Sequence, residues 1–214
     1  MIKLIQGNEV KNHQDIMEQV WRLRHDVFVE EKKWGDLQKP DKREIDQYDN
    51  DDVLHMLAFD GDQVVGYQRM LPTTKPYLLS DVYPQLCEGD LPRAPEIWEW
   101  TRYAVIKEHR ARGRMLSSTA NKLLSAIVEW GLETGVSTII IEMNPLWLLR
   151  LVQLHFRVIP LGITHVLADE EVLAVQAHFD ERTLIKLQEI RGDKESVLDA
   201  KAYRLTKHAR SCLE

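Results

Sequence analysis

Residues 97–106 read IWEWTRYAVI, residues 107–114 KEHRARGR, residues 115–136 MLSSTANKLLSAIVEWGLETGV and residues 137–143 STIIIEM. The first block is rich in aromatic and β-branched side chains, which fit a pleated, half-buried surface, and it predicts a strand. The second is a short basic loop. In the third, Leu116, Ala120, Leu123, Ile127 and Trp130 fall on one helical face, and Gly131 or Gly135 marks the end of that helix. The fourth is a short apolar run of the kind found in a buried strand. Residues 145–156 follow as a helix with proline at its first position.

Working outward, the first ten residues read as a strand. Asn12 with Asp15 resembles a capping box, and Ile16, Val20, Leu23 and Val27 then repeat at helical spacing, carrying Trp21, Arg24 and Phe28 near the helix end. Residues 30–52 are polar and aperiodic with Pro40 among them, a long loop of the functional kind. Residues 53–59 and 63–71 flank Asp60-Gly61, which predicts a hairpin. Five prolines between Pro72 and Pro95 make that stretch an irregular connection. Residues 165–177 read as a strand region and 180–190 as a helix ended by Gly192. Residues 193–214 form a polar, peripheral tail. Alternating strands and helices with one hairpin predict a single α/β domain over 1–214, a twisted mixed sheet covered by helices on both faces.

The 214 residues include 28 Lys or Arg and 34 Asp or Glu, a formal charge of −6, with 44% apolar and 29% charged side chains. That is a soluble globular composition, and its acidity argues against nucleic acid as a partner. No apolar run approaches the roughly 20 residues of a membrane helix, and no secretory leader is visible. Cys87 and Cys212 are too few for a disulfide framework and fit no metal spacing, so a reducing cytoplasm is the expected compartment. The charge is uneven. Between Asp41 and Asp62 eight acids face only Lys42 and Arg43, and between Arg102 and Lys122 six bases face only Glu108. Each run taken alone is a solvated face; together they suggest one site for a cation and one for an anion.

The basic loop, with Arg110, Arg112, Gly113 and Arg114 before a helix N-terminus, suits a phosphate. The acidic loop is part of a longer array: Leu23-Arg24-x-x-x-Phe28, Trp34, Glu44-x-Asp46-x-Tyr48-Asp49, Arg69, and Glu99-Trp100-Thr101-Arg102-Tyr103. In that order these residues resemble the N-acyl-homoserine-lactone synthases, the LuxI-type autoinducer synthases, from about residue 2 to residue 162. Glu31 departs from the family, standing where relatives usually carry a base. Asp36 also departs, standing where an apolar residue usually follows the Trp.

The resemblance implies a fold similar to the GNAT acyltransferases and a reaction between S-adenosylmethionine and an acyl thioester, with no resident cofactor or metal. The amine attacks the thioester, the carboxylate then displaces the sulfonium, and methylthioadenosine leaves. It places Arg24, Phe28, Trp34, Asp46, Arg69 and Arg102 at the S-adenosylmethionine site, where carboxylates and aromatic faces favour a sulfonium and an ammonium. Glu99, Arg102, Asp46 and Asp49 are its catalytic candidates. An α-amino group with a pKa of roughly 8 needs a base at neutral pH, and Glu99 is the candidate.

Trp100, Thr101, Met143 and Trp147 are expected to line the acyl pocket. Their bulk favours a short, branched or aryl chain, and the absence of Thr at Glu142-Met143-Asn144 disfavours a 3-oxo product. The net acidity leans toward acyl-coenzyme A over acyl carrier protein as donor, although the basic loop could also dock the carrier protein. Two other readings fit the fold: an N-acyltransferase acting on a different amine, which would release no methylthioadenosine, and a non-catalytic acyl-CoA sensor, for which Glu99 and the acidic loop would be superfluous. His55, His109, His155 and His165 show no spacing for a triad or a metal.

Overall fold

The computed structural model describes residues 1–111 and 116–199. Its elements are β1 (Ile2–Gln6), α1 (Gln14–Arg24), β2 (Leu54–Asp60), β3 (Gln63–Pro72), α2 (Leu78–Asp81), β4 (Ile97–Val105), α3 (Ser118–Thr134), β5 (Thr138–Met143), α4 (Leu148–Gln153), β6 (Arg157–Pro160), β7 (His165–Leu167), β8 (Glu170–His178) and α5 (Glu181–Arg191). Strand, loop, helix, strand and helix follow one another from β4 to α4, as the 97–156 stretch predicts. Among the described residues no helix is long and apolar enough to cross a membrane.

Two compact units divide the chain, one formed by Met1–Arg69, Arg102–Ala126 and the chain from Val197, the other by Met70–Thr101 and Ile127–Ser196. The boundaries fall inside β3, β4 and α3, so each unit holds part of these elements. In the first, strands follow the order β1-β2-β3-β4. β1 and β2 are antiparallel, with Leu4 opposite Met56, and the β2–β3 hairpin turns at Gly61, whose φ of +56° suits glycine. Met17, Val20 and Leu23 of α1 join Ile5, Leu57 and Tyr67 in its core.

In the second unit the strand order is β4-β5-β8-β6, with β7 on β8. β4 and β5 are parallel, whereas β5 and β8 are antiparallel. The sheet is therefore mixed, as expected. The β4–β5 ladder spans only Ile97↔Thr138 to Glu99↔Ile140, although both strands run on. The two strands part beyond Glu99.

Local details correct several sequence expectations. α1 begins at Gln14 behind His13, which makes no side-chain cap; Asn12 of the proposed capping box belongs to a 3₁₀ turn at Gly7–Asn12, and Asp15 to the first turn of α1. The 145–156 helix is a 3₁₀ turn at Pro145–Trp147, capped by Asn144, followed by the shorter α4. The 165–177 strand region is a hairpin, turned by Ala168 and Asp169 with positive φ, and β6 precedes it. The tail is polar only in part. Val197 and Leu198 are buried, and Ile2 donates to the Val197 carbonyl at 2.7 Å and accepts from the Asp199 N–H at 2.9 Å, pairing the edge of β1 at that residue. Residues 200–214 lie outside the described residues.

α3 runs through Gly131 and ends at Gly135, where φ is +84°. Gly131 serves close packing instead: a Cβ there would stand 2.5 Å from the Phe179 ring and 2.7 Å from the Val136 carbonyl oxygen. Alanine gains about 1 kcal/mol of helix propensity over glycine, but overpacking costs about 1–3 kcal/mol. Gly131→Ala is therefore expected to lower the melting temperature, measured by circular dichroism, in spite of the better helix former.

Candidate functional site

Three arginines and three carboxylates of the first unit form one buried cluster. Arg24, at the end of α1, donates from Nε to Glu44 Oε2 at 2.5 Å and from Nη1 to Asp49 Oδ1 at 2.7 Å. Arg69 on β3 donates to both oxygens of Asp46, at 2.6 and 2.9 Å, and to Asp49 at 3.0 Å. Arg102 on β4 donates to both oxygens of Glu44, at 3.1 and 3.2 Å, and to Asp46 Oδ2 at 2.9 Å. Arg24 and Arg69 are fully buried. The three charges of each sign balance.

The loop that supplies the acids is folded by its own side chains. Asp46 accepts from the Tyr48 N–H, Asp49 accepts from the Asp46 N–H, and the Glu44 N–H donates to the Trp21 carbonyl of α1. Asx turns of this kind explain an aperiodic, Asp-rich sequence that is nonetheless ordered. Tyr48 is buried, its ring 5.9 Å from the Arg69 guanidinium.

Burial opposes ionisation of the three acids, but the arginines prevail. Arg24 and Arg102 hold Glu44 below its ordinary pKa, Arg69 and Arg102 do the same for Asp46, and Arg24 and Arg69 bring Asp49 well below the carboxylate range. Asp46 and Asp49 thus remain carboxylates throughout the neutral range, which suits holding charge better than passing protons.

Beyond Arg24 the chain changes to a π-helical segment, His25–Glu31. The Lys32 N–H reaches back five residues to the Val27 carbonyl, and π segments frequently mark functional sites. It carries Phe28, which stacks on Trp34 at 5.2 Å with an interplanar angle of 19°. Arg102 lies over the Phe28 ring at 5.6 Å and Lys32 over Trp34 at 5.4 Å. Arg102 itself has a φ of +54° inside a strand. Non-glycine residues adopt that conformation where surrounding contacts enforce it, and its bonds to Glu44 and Asp46 supply the enforcement.

The structure therefore brings Arg24, Phe28, Trp34, Asp46, Asp49, Arg69 and Arg102 together. It adds Glu44, which sequence reasoning left out of the site although it opens the quoted Glu-x-Asp pattern. It also adds His55 and Tyr67, which carried no sequence signal. The Arg24 guanidinium lies over the Tyr67 ring at 5.6 Å, and the Tyr67 hydroxyl is 2.7 Å from His55 Nδ1.

In the second unit, Glu99 is fully buried and its two oxygens accept from the N–H groups of Leu78 and Leu79 at 2.8 and 2.7 Å. It holds the start of α2. Tyr77 beside it has its phenol pushed up to about 12, chiefly by burial and also by the Glu99 charge. Trp100, Thr101 and Met143 are buried where β4 and β5 part, and Trp147 is 40% exposed. A cavity of about 290 Å³ lies elsewhere, at the start of β5, lined by Ser137, Arg157, His178 and Arg182 among others.

The anion site is the least complete. Arg110 donates to the Val105 carbonyl at 2.6 Å and to Glu31 at 2.7 Å, so the residue that departs from the family pattern occupies this arginine. Arg112, Gly113 and Arg114 lie outside the described residues. His109 stands 3.5 Å from Asp60.

Burial lowers the pKa of His55 to about 3, with Arg24 and Arg69 adding to the shift against Asp49 and Asp46. The unfolded chain, with a value near 6.5, binds the extra proton first. His55 therefore contributes stability that is present above pH about 6.5 and is lost as pH falls toward 3, by up to about 1.4 kcal/mol per pH unit. Urea titrations at pH 7 and pH 5 are expected to show a larger loss for the wild type than for His55→Gln.

The protein matches the autoinducer synthase family model over residues 8–184. It is 37% identical over 185 residues to an isovaleryl-homoserine lactone synthase of Bradyrhizobium diazoefficiens, covering 86% of this chain and 82% of the relative. An acyl-homoserine-lactone synthase of Ralstonia nicotianae is 36% identical over 121 residues, 55% of this chain and 59% of the relative. Among solved structures, the CoA-dependent acyl-homoserine lactone synthase BjaI with SAM and isopentyl-CoA superposes with a TM-score of 0.86 at 33% identity, over 97% of this chain and 98% of that one. An acyl-CoA N-acyltransferase from Pseudomonas aeruginosa, at 13% identity, 82% and 97% coverage and a TM-score of 0.57, shares the fold. With the family's charged and aromatic array in place in three dimensions, the chain belongs to the autoinducer synthases.

Proposed function

We propose that this enzyme makes an N-acyl-L-homoserine lactone from S-adenosylmethionine and a short, branched acyl-CoA. The observation that carries the reading is Arg24: its Nη2 is buried with no hydrogen-bond partner among the described residues, 3.8 Å from Asp46 Oδ2, at the centre of an otherwise saturated cluster. A buried cationic donor left unsatisfied is costly, and a ligand carboxylate would satisfy it. S-adenosylmethionine brings a carboxylate together with an ammonium and a sulfonium. Phe28 and Trp34 offer aromatic faces to the sulfonium, while Asp46 and Asp49 supply fixed negative charge.

The amine attacks the thioester carbonyl, forming an amide and expelling the coenzyme A thiol. The methionine carboxylate then attacks the carbon attached to sulfur, closing the lactone and releasing methylthioadenosine. The amine must first lose a proton, and Glu99 is the base assigned to it. Trp100, Thr101, Met143 and Trp147 are assigned to the acyl chain, at the parting of β4 and β5. Relatives that are isovaleryl-specific by name or hold isopentyl-CoA support a branched chain and coenzyme A as carrier. The formal charge of −6 weighs against an acidic carrier protein as donor. Arg110, Arg112, Gly113 and Arg114 are assigned to the phosphates, with Arg110 contributing only after exchanging Glu31 for them. The cytoplasm is the proposed compartment.

Incubation with S-adenosylmethionine and a panel of acyl thioesters, followed by mass spectrometry, is expected to give lactone and methylthioadenosine in equal amounts. Isovaleryl-CoA should exceed both decanoyl-CoA and isovaleryl carrier protein at least tenfold in kcat/KM. Acylation without methylthioadenosine would mean a different amine acceptor.

Glu99→Gln removes both a base and the cap of α2. Loss of the base predicts a fall in turnover of about 10²–10⁴-fold at pH 7, with the residual rate climbing as pH approaches the amine pKa of roughly 8. A pH–rate profile parallel to that of the wild type would assign Glu99 to capping alone.

A further inference from the structure

His55 and Tyr67 have no part in the reaction as assigned above, yet Tyr67 lies against Arg24 and His55 against Tyr67. Both are buried, His55 on β2 and Tyr67 on β3. Burial keeps the Tyr67 phenol well above its ordinary pKa and the His55 imidazole neutral, so the hydroxyl carries its proton. The Tyr67 hydroxyl and His55 Nδ1 share a hydrogen bond at 2.7 Å. Nε2 is buried with no partner among the described residues. A neutral pair of this kind is an expensive way to fill a core beside four charged groups. Apolar side chains at both positions together would leave no polar atom stranded.

What the pair does is visible at Arg24. Two of the guanidinium nitrogens are committed, Nε to Glu44 and Nη1 to Asp49, which fixes one edge of the plane. The Tyr67 ring, 5.6 Å away, supports its face. The Tyr67 ring is packed in the core of the unit, and His55 ties its hydroxyl. With the edge and the face both held, Nη2 is the corner left without a hydrogen bond among the described residues, 3.8 Å from Asp46 Oδ2.

We propose that His55 and Tyr67 are positioning residues for S-adenosylmethionine, holding the Arg24 guanidinium so that Nη2 receives the methionine carboxylate. The proposal rests on the function proposed above and deepens it at one atom. It separates two ligands that share the adenosine and the sulfur: S-adenosylmethionine carries the carboxylate, and methylthioadenosine does not.

The test is calorimetric titration of both ligands into the full-length wild type, Tyr67→Phe, His55→Leu and His55→Asn. Tyr67→Phe and His55→Leu should weaken S-adenosylmethionine about tenfold, the scale of a compromised charged hydrogen bond, and change methylthioadenosine less than twofold. His55→Asn, whose amide oxygen can accept from the Tyr67 hydroxyl, should recover most of the loss. Tyr67→Phe keeps the ring and its volume, so it remains informative where His55→Leu fails to fold. Equal weakening of both ligands, or unchanged S-adenosylmethionine binding in Tyr67→Phe, would overturn the proposal while leaving the function intact. A wild type that does not bind S-adenosylmethionine would overturn both.

Discussion

Burying three guanidinium groups beside three carboxylates is the constraint on which the first unit is built. Each ion taken from water costs several kcal/mol, and the cluster repays this only because nearly every lone pair and proton is matched. The cost makes the arrangement all-or-none. Removing one partner leaves its counterpart buried and uncompensated, which is far worse than never having built the pair. Four segments are consequently tied to one another: the end of α1 through Arg24, the 44–49 loop through its acids, β3 through Arg69 and β4 through Arg102. None of these contacts is local in sequence, and the loop has little apolar surface with which to hold itself down.

Irregular backbone appears where the cluster is made. The π-helical turn after Arg24 brings Phe28 onto Trp34, and the positive φ of Arg102 falls inside β4 between Thr101 and Tyr103. Both departures cost free energy that regular elements would not, and both are held by contacts of the cluster itself, Arg102 over Phe28 among them. Strain of this sort persists where neighbouring contacts over-determine it. It coincides here with the residues that bear the family resemblance.

The other half of the chemistry rests on different physics. Glu99 meets two backbone N–H groups with two carboxylate oxygens, so the residue assigned to proton transfer also orders the proline-rich 73–95 stretch. Arg110, assigned to phosphate, is occupied by Glu31 at the surface, where an ion pair contributes about 0.2–1 kcal/mol and exchanges readily. One contact is buried and fixed, the other exposed and replaceable. That difference follows from burial rather than from residue type.

Periodicity and composition determined much by themselves. The apolar spacing of 116–130, the aromatic and β-branched run of 97–105, the Asp60-Gly61 turn and the helix beginning after Asp180 all depend on neighbours within a few residues, and local sequence is sufficient for such features. The order of Arg24, Phe28, Trp34, Asp46, Asp49, Arg69, Glu99 and Arg102 likewise identified the family, because charged and aromatic types at fixed separations are improbable without a shared role. Only the tertiary structure decided that Glu44 completes the charge balance, that Glu99 caps α2 and that Val197 and Asp199 pair with Ile2 at the edge of β1. It alone placed Gly131 against Phe179 and tied Tyr67 to His55 beneath Arg24. Each of these depends on which distant groups share a low-dielectric interior, where an unmatched charge, donor or methyl group is costly, and a linear pattern carries no record of that distance.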